Sequence, residues 1–167
     1  MKLYHLAFPI LLCGCTTLQT QVEINAPARE VSAILYDFAD YPKWNPYITK
    51  VDGTVAEGNQ IYLTLKPEGK PEITGGATIL SATEDHLSWE GSGLSGIESG
   101  SISMSIPGIL SARHDFVIQE LGPDRTLFLN TDKMSGAAVP VFDLKPIKAG
   151  LDAMNEALKK RAEEQPK

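Results

Sequence analysis

Apolar residues alternate with polar ones along most of the chain. In residues 61–65, for example, Ile61, Leu63 and Leu65 are separated by Tyr62 and Thr64. This period of two is typical of strands that bury one face in an antiparallel sheet. On this basis we predict strands over residues 17–24, 48–55, 61–65, 73–83, 86–90, 112–121 and 125–134. The paired glycines Gly75 and Gly76 predict a weakened or bulged point in the fourth strand.

The pattern changes to a helical period in two places. Asn25 is expected to cap a short helix with Pro27 and Glu30 in its first turns. Residues 146–164 carry apolar side chains every three or four positions and predict a long amphipathic helix. We expect three small residues of this helix to permit a close approach to the sheet: Ala149, Ala153 and Ala157.

Length and charge restrict the classes of function. A chain of 167 residues most simply forms one domain with room for a core and a modest cavity. The 15 basic and 21 acidic residues give a net charge of −6 without a basic run, so we expect no nucleic-acid partner. The scattered histidines predict no metal site, and the sequence contains no nucleotide-binding glycine motif or serine-hydrolase elbow. We therefore expect no cofactor.

The amino terminus has the features of an export signal. Lys2 is followed by a short apolar run, far shorter than the roughly 20 residues of a spanning helix. Residues 12–15, Leu-Cys-Gly-Cys, resemble the lipobox of bacterial lipoproteins. That resemblance implies a signal peptide over residues 1–14, a mature domain over 15–167 and a lipid on Cys15. Thr16 is not the Asp that favours inner-membrane retention in similar lipoproteins, so we expect the outer membrane, facing the periplasm. An ordinary buried first helix is the alternative.

Residues 37–48, Asp-Phe-Ala-Asp-Tyr-Pro-Lys-Trp-Asn-Pro-Tyr-Ile, concentrate aromatic side chains around two prolines that force the backbone to turn. This stretch resembles the first signature of the START-like superfamily, also called SRPBCC, and in particular its polyketide cyclase/dehydrase-type members. Residues 114–116 and 126–136 resemble the two closing strands of that superfamily. The resemblance implies an α+β helix-grip fold. In that fold a curved antiparallel sheet of about seven strands surrounds a long carboxy-terminal helix, and two short helices follow the first strand.

Strand periodicity places side chains independently of this resemblance. If Phe116 and Phe128 face inward, then His114, Asn130 and Asp132 do so as well. A five-residue connection from Leu121 to Arg125 pairs Glu120 with Thr126. It therefore also pairs Phe116 with Asn130 and His114 with Asp132, at a Cβ separation of about 5 Å. This predicts a polar patch on an apolar concave face, as in small-molecule pockets. The further candidate ligand contacts are Tyr36, Tyr62, Trp89, Met134 and Leu151.

Three functions fit these residues. The first is a membrane-anchored periplasmic lipoprotein that binds a hydrophobic small molecule or lipid in an internal cavity. The second is a cyclase- or dehydratase-like enzyme that uses His114 and Asp132 in proton transfer. The third is an envelope scaffold whose cavity is filled and in which the two residues only satisfy each other. Fold alone does not separate these functions.

The segment 91–110 is rich in glycine and serine and departs from the resemblance as an insertion. It is consistent with a lid over the cavity mouth or with a solvated surface loop.

Overall fold

The computed structural model describes residues 14–92 and 110–164. In these residues the strands are β1 (Gly14–Ile24), β2 (Ile48–Asp52), β3 (Gln60–Leu65), β4 (Ile73–Thr83), β5 (His86–Ser92), β6 (Ser111–Gly122) and β7 (Arg125–Gly136). The helices are α1 (Ala28–Tyr36), α2 (Tyr41–Trp44) and α3 (Lys145–Glu163). Two short 3-10 turns cover Phe38–Asp40 and Val139–Val141.

The seven strands form one antiparallel sheet in the order β1-β7-β6-β5-β4-β3-β2. The sheet curves around α3, whose buried face carries the predicted apolar residues Ile147, Leu151, Met154 and Leu158. The helix-grip fold predicted above is therefore confirmed. Alternation along β7 is regular, with Thr126, Phe128 and Asn130 fully buried on the inner face.

The strand register defines two ends of the sheet. At the end that we call the hairpin end lie the β6–β7 turn and the β4–β5 turn at Glu84–Asp85. At the opposite end, which we call the open end, β1 begins at Gly14 beside Gly136, the last residue of β7. The β3–β4 connection over residues 66–72 and the start of α3 lie at the open end as well, because Leu65 pairs with Ile73 and α3 follows β7.

The aromatic stretch 37–48 joins the open end of the sheet to α3. The side-chain oxygen of Asn45 accepts hydrogen bonds from the backbone N–H groups of Tyr47 (3.0 Å) and Ile48 (2.9 Å), which fixes the turn into β2. Tyr47 is thereby held with its ring against α3 at Gly150, where an added Cβ would lie 2.2 Å from the ring. Burial of a side chain of this size contributes on the order of 2–3 kcal/mol.

Several local predictions were wrong. The close approach of α3 occurs at Gly150, whereas Ala153 is exposed and Ala149 and Ala157 are only half-buried. Helix α1 has Pro27 at its N-cap position and no side-chain cap. Asn25 instead donates from its backbone N–H (2.8 Å) and its side chain (2.9 Å) to the carboxylate of Glu163, because the end of α3 lies beside it.

The fourth strand also differs in detail. Gly75 and Gly76 pair in regular register with Leu63 and Tyr62, and the irregularity falls between Ile79 and Ser81. Most of the glycine- and serine-rich segment, residues 93–109, lies outside the described residues, and so does the predicted signal sequence up to residue 13. Within the described parts of the chain, no helix has the length and hydrophobicity needed to cross a membrane.

Candidate functional site

The last hairpin has the predicted register. His114 pairs with Asp132, Phe116 with Asn130 and Glu120 with Thr126. Because side chains alternate along a strand, this register brings His114, Asn130 and Asp132 to the inner face together. All three are at most 7% exposed.

A cavity of about 70 Å³ lies on the inner face of the sheet, along strands β3 to β7. Its lining is mostly apolar: Leu63, Leu65, Ile73, Gly75, Gly76, Ala77, Trp89, Gly91, Leu110 and Ala112. His114 and Asp132 provide its charged or titratable groups. This combination of apolar walls with a few convergent polar groups is typical of small-molecule sites. The volume suits a small group rather than a whole drug-sized ligand, for which about 300 Å³ or more is usual.

A chain of buried hydrogen bonds supports the imidazole of His114. Its Nε2 lies 2.7 Å from Oδ1 of Asn130. The amide nitrogen of Asn130 donates to Oδ1 of Asn155 on α3 (2.9 Å), and the amide nitrogen of Asn155 donates to the hydroxyl of Thr20 on β1 (2.9 Å). Since Asn130 presents its oxygen to the ring, Nε2 of His114 must carry the hydrogen. In the neutral ring, Nδ1 is then the nitrogen that can accept a proton.

Asp132 is the opposite case, a buried carboxyl group with incomplete hydrogen bonding. Its Oδ1 has no hydrogen-bond partner among the residues that the structure describes. Burial raises the pKa of Asp132 above its ordinary value, an effect that nearby His114 partly offsets and Asp115 reinforces. The neutral acid is therefore more favoured at this position than in an ordinary aspartate. Burial, followed by the charge of Asp132, also raises the pKa of Tyr47.

The neighbouring residue Asp115 shows what a partnered carboxylate looks like in this sheet. It points to the outer face, where it accepts hydrogen bonds from Arg113 (3.0 and 3.1 Å) and lies 3.2 Å from Nε2 of His86 and 3.4 Å from the ammonium of Lys133. Burial alone would raise the pKa of Asp115, but the hydrogen bonds from Arg113 and His86 hold it below its usual range. The pKa values of Asp132 and Asp115, on adjacent strands, are therefore shifted in opposite directions.

The structure brings only some of the predicted site residues together. Trp89, His114 and Asp132 line the cavity, and Asn130 supports His114 from behind. A second group faces inward as core and is absent from the cavity wall: Phe116, Phe128, Met134 and Leu151. The expected bond between His114 and Asp132 is replaced by the bond between His114 and Asn130.

Two predicted contacts lie elsewhere. Tyr62 is 66% exposed and lies over Gly76 on the outer face, because the inner face of β3 belongs to Ile61, Leu63 and Leu65. Tyr36 lies near the hairpin end, where its hydroxyl donates to the carbonyl of Thr83 and ties α1 to the β4–β5 turn. Neither side chain can contact a ligand in this cavity.

Asn155 and Thr20 were missed by the sequence reasoning. Asn155 follows Met154 and lies four positions after Leu151, so it falls on the buried stripe of α3, where a polar residue is a detectable exception. Thr20 shares the inner face of β1 with Val22 and Ile24.

Among the described residues there is also no cluster of histidine, cysteine and acidic side chains that could hold a metal ion.

A second concavity opens at the open end of the sheet. We call it the outer groove; it holds about 380 Å³ between residues 67–73 and 141–147. Its walls are Pro67, Lys70, Pro71, Ile73, Val141, Phe142, Asp143, Pro146 and Ile147. Ile73 lines both the outer groove and the internal cavity, so the two spaces adjoin at this residue.

Comparison with known proteins decides the family. The family model described as "Polyketide cyclase / dehydrase and lipid transport" matches residues 16–163. The chain belongs to this family. A comparison with curated proteins found no match.

Solved structures agree with the family assignment at the level of the fold. A START superfamily protein from Mycobacterium smegmatis is 23% identical with a TM-score of 0.65, over 90% of this chain and 98% of that one. Norcoclaurine synthase from Thalictrum flavum is 15% identical with a TM-score of 0.65, over 92% and 97%. The Zhui aromatase/cyclase from a Streptomyces species is 15% identical with a TM-score of 0.65, over 90% and 94%. Another norcoclaurine synthase structure contains dopamine and hydroxybenzaldehyde.

Proposed function

We propose that this member of the family binds a hydrophobic small molecule or lipid in the cavity on the inner face of the sheet. The observation that carries the proposal is the internal cavity, with apolar walls and two polar groups, His114 and Asp132, at one side. A ligand with a polar end would pair that end with these groups and leave its apolar part among the leucines. Because the cavity holds about 70 Å³ and adjoins the outer groove at Ile73, a longer ligand would extend past Ile73 into that groove.

The first test fills the cavity. Ala112 lines it, so Ala112→Phe removes the space for the ligand, whereas Ala153→Phe makes the same change on the exposed face of α3. Native mass spectrometry of the purified proteins, with extraction of bound lipid, should find ligand on the wild type and on Ala153→Phe and none on Ala112→Phe. Thermal melting of all three proteins checks that each is folded. Equal occupancy of the two variants, or an empty wild-type protein from several membrane extracts, would contradict ligand binding in this cavity.

An enzyme of cyclase or dehydratase type is the second candidate. Asp132 is a buried carboxyl group whose Oδ1 has no partner within residues 14–92 and 110–164, and it lies beside the hydrogen-bonded imidazole of His114. In such a dehydration, Nδ1 of His114 would remove the proton next to a ketone. Asp132, held as the neutral acid, would donate its proton to the departing hydroxyl group, which leaves as water. The proton on the imidazolium then returns through solvent to the carboxylate.

This candidate is tested with an aromatic β-hydroxyketone whose dehydration gives an absorbing enone. Turnover by the wild type, loss of turnover in Asp132→Asn and retention in Asp115→Asn would support it. No turnover above the buffer rate, or an equal rate in Asp132→Asn, would leave ligand binding as the function.

We also propose that Cys15 carries a lipid after removal of residues 1–14, which would place the protein at the periplasmic side of the outer membrane. The lipobox-like residues 12–15 and the exposed position of the Cys15 side chain support this proposal. Cys15→Ser should move the protein from the membrane fraction to the soluble fraction. Unchanged fractionation would refute lipidation, and density-gradient separation of the two membranes would test the location.

A further inference from the structure

The position of Cys15 determines how an anchored domain would sit on a membrane. Cys15 is the second residue of β1 and pairs with Ser135 of β7, so it belongs to the sheet itself. A lipid on this residue would enter the bilayer with no flexible linker between the lipid and the fold. The open end of the sheet would then be held within a few ångströms of the headgroups.

The outer groove lies at that same end. A Cβ on Gly14 would lie 2.8 Å from the ring of Pro140, so the tether point is next to the 3-10 turn Val139–Val141. Val141, the last residue of this turn, is 86% exposed, and it is the most exposed of the large apolar side chains in the described residues. It forms one wall of the outer groove. An exposed apolar side chain beside an apolar groove is typical of an interaction site.

Charged side chains of both signs surround the apolar outer groove, since Glu68 and Glu72 are exposed on the same segment as Lys70. Lys70 lines the groove and Lys145, at the start of α3, is exposed next to it. The single acid of the groove wall, Asp143, lies 3.8 Å from the ammonium of Lys70. Aliphatic and proline side chains with flanking lysines match the boundary between acyl chains and phosphates, where lysine reaches upward and apolar groups insert.

We propose that the outer groove, with Val141 at its rim, is a docking surface for the lipid bilayer and delivers the ligand between the bilayer and the internal cavity. This inference rests on the proposed lipidation of Cys15 and on the proposed ligand cavity. Its physical basis is the shared end of the molecule: tether, exposed Val141 and outer groove lie together, and Ile73 lines both the groove and the cavity. A ligand that moved along this path would not cross bulk water.

The orientation can be measured on the full-length, lipidated protein. The mature chain would have no free thiol, because Cys13 is removed and Cys15 is acylated, so Val141→Cys introduces a single labelling site. Leu121→Cys is the matched control, since Leu121 is 40% exposed and lies near the hairpin end. The two sites are separated by the length of β7, roughly 35 Å at about 3.3 Å per residue.

Both variants are labelled with a nitrobenzoxadiazole fluorophore and reconstituted in vesicles of phosphatidylethanolamine and phosphatidylglycerol that contain a nitroxide-labelled lipid. We expect quenching at position 141 to be at least threefold stronger than at position 121. Equal quenching at the two positions, with a wild-type protein that takes up no label, would overturn the docking surface while leaving lipidation intact. Labelling of the wild type at Cys15 would instead overturn lipidation and this inference with it, and lipid extraction tests the cavity separately.

Discussion

The buried carboxyl group of Asp132 leads to a prediction about stability that needs no knowledge of the ligand. In the folded protein its pKa is raised by burial, whereas in the unfolded chain it titrates near its ordinary value of about 3.9. At a pH below the pKa of the unfolded state, Asp132 is protonated in both states and its titration does not change the free energy of unfolding. As the pH rises toward the folded pKa, the unfolded state ionises freely and the folded state does not. Asp132 therefore destabilises the fold increasingly over this window, and the penalty is constant above it.

Asp132→Asn removes the titration and preserves the shape of the side chain. The wild type should lose stability relative to the variant by up to about 1.4 kcal/mol for each pH unit within that window. At pH 8 the variant should be more stable than the wild type, because its neutral amide carries no charge that burial would penalise. Urea unfolding of both proteins between pH 4.5 and pH 8.5 measures this difference in the free energy of unfolding.

Asp115→Asn is the control of opposite sign. Because its hydrogen bonds with Arg113 and His86 hold the pKa of Asp115 below its usual range, this carboxylate stabilises the fold above the unfolded pKa and loses that contribution as the pH falls. Asp115→Asn should therefore destabilise the protein at pH 8, and the loss should shrink in acid. A difference between wild type and Asp132→Asn that does not change with pH, or a variant less stable than the wild type at pH 8, would refute the reasoning about Asp132.

Two further predictions concern the contacts that position the site. Asn155→Ala removes the link between Asn130 and Thr20, so we expect the free energy of unfolding, measured in urea, to fall by about 1–3 kcal/mol. The control Glu156→Ala, at the exposed neighbouring position, should change the free energy of unfolding little. An equal effect of the two variants would argue against the buried chain of hydrogen bonds. Gly150→Ala should destabilise the protein by about 1–3 kcal/mol. Its Cβ would lie 2.2 Å from Tyr47, and this overlap outweighs the gain of roughly 1 kcal/mol in helix propensity. A higher melting temperature for the variant would contradict the close contact.

The elements and the register of the last hairpin followed from short-range patterns. Residues 73–83 alternate as a strand, Phe116 and Phe128 indicated the inward face, and the length of the connection from Leu121 to Arg125 was sufficient to pair His114 with Asp132. The reason is that the inner face of each strand must be apolar to be buried, so apolar residues recur at every second position of the sequence. The family resemblance in residues 37–48 supplied the architecture in which these strands are arranged.

The hydrogen-bond partner of His114 was not predictable in the same way. Asp132 lies opposite it and Asn130 lies two residues earlier on β7, so sequence spacing favoured Asp132. Which of them meets the ring depends on Asn155, more than twenty residues away on α3, whose amide turns the oxygen of Asn130 toward His114. The position of Tyr62 was different, because the alternation of Ile61, Leu63 and Leu65 with Tyr62 already placed it on the opposite face of β3.

By itself, the sequence determined the alternation of buried and exposed positions, the long carboxy-terminal helix and the pairing of the closing strands, since each depends on neighbours within one hairpin or one helical turn. The tertiary structure alone decided that Oδ1 of Asp132 has no partner in the described part of the chain, that Gly150 contacts Tyr47, and that Cys15, Val141 and the outer groove share one end of the sheet. These features depend on where α3 and the loops meet the curved sheet, and that position is set by packing between residues far apart in the chain.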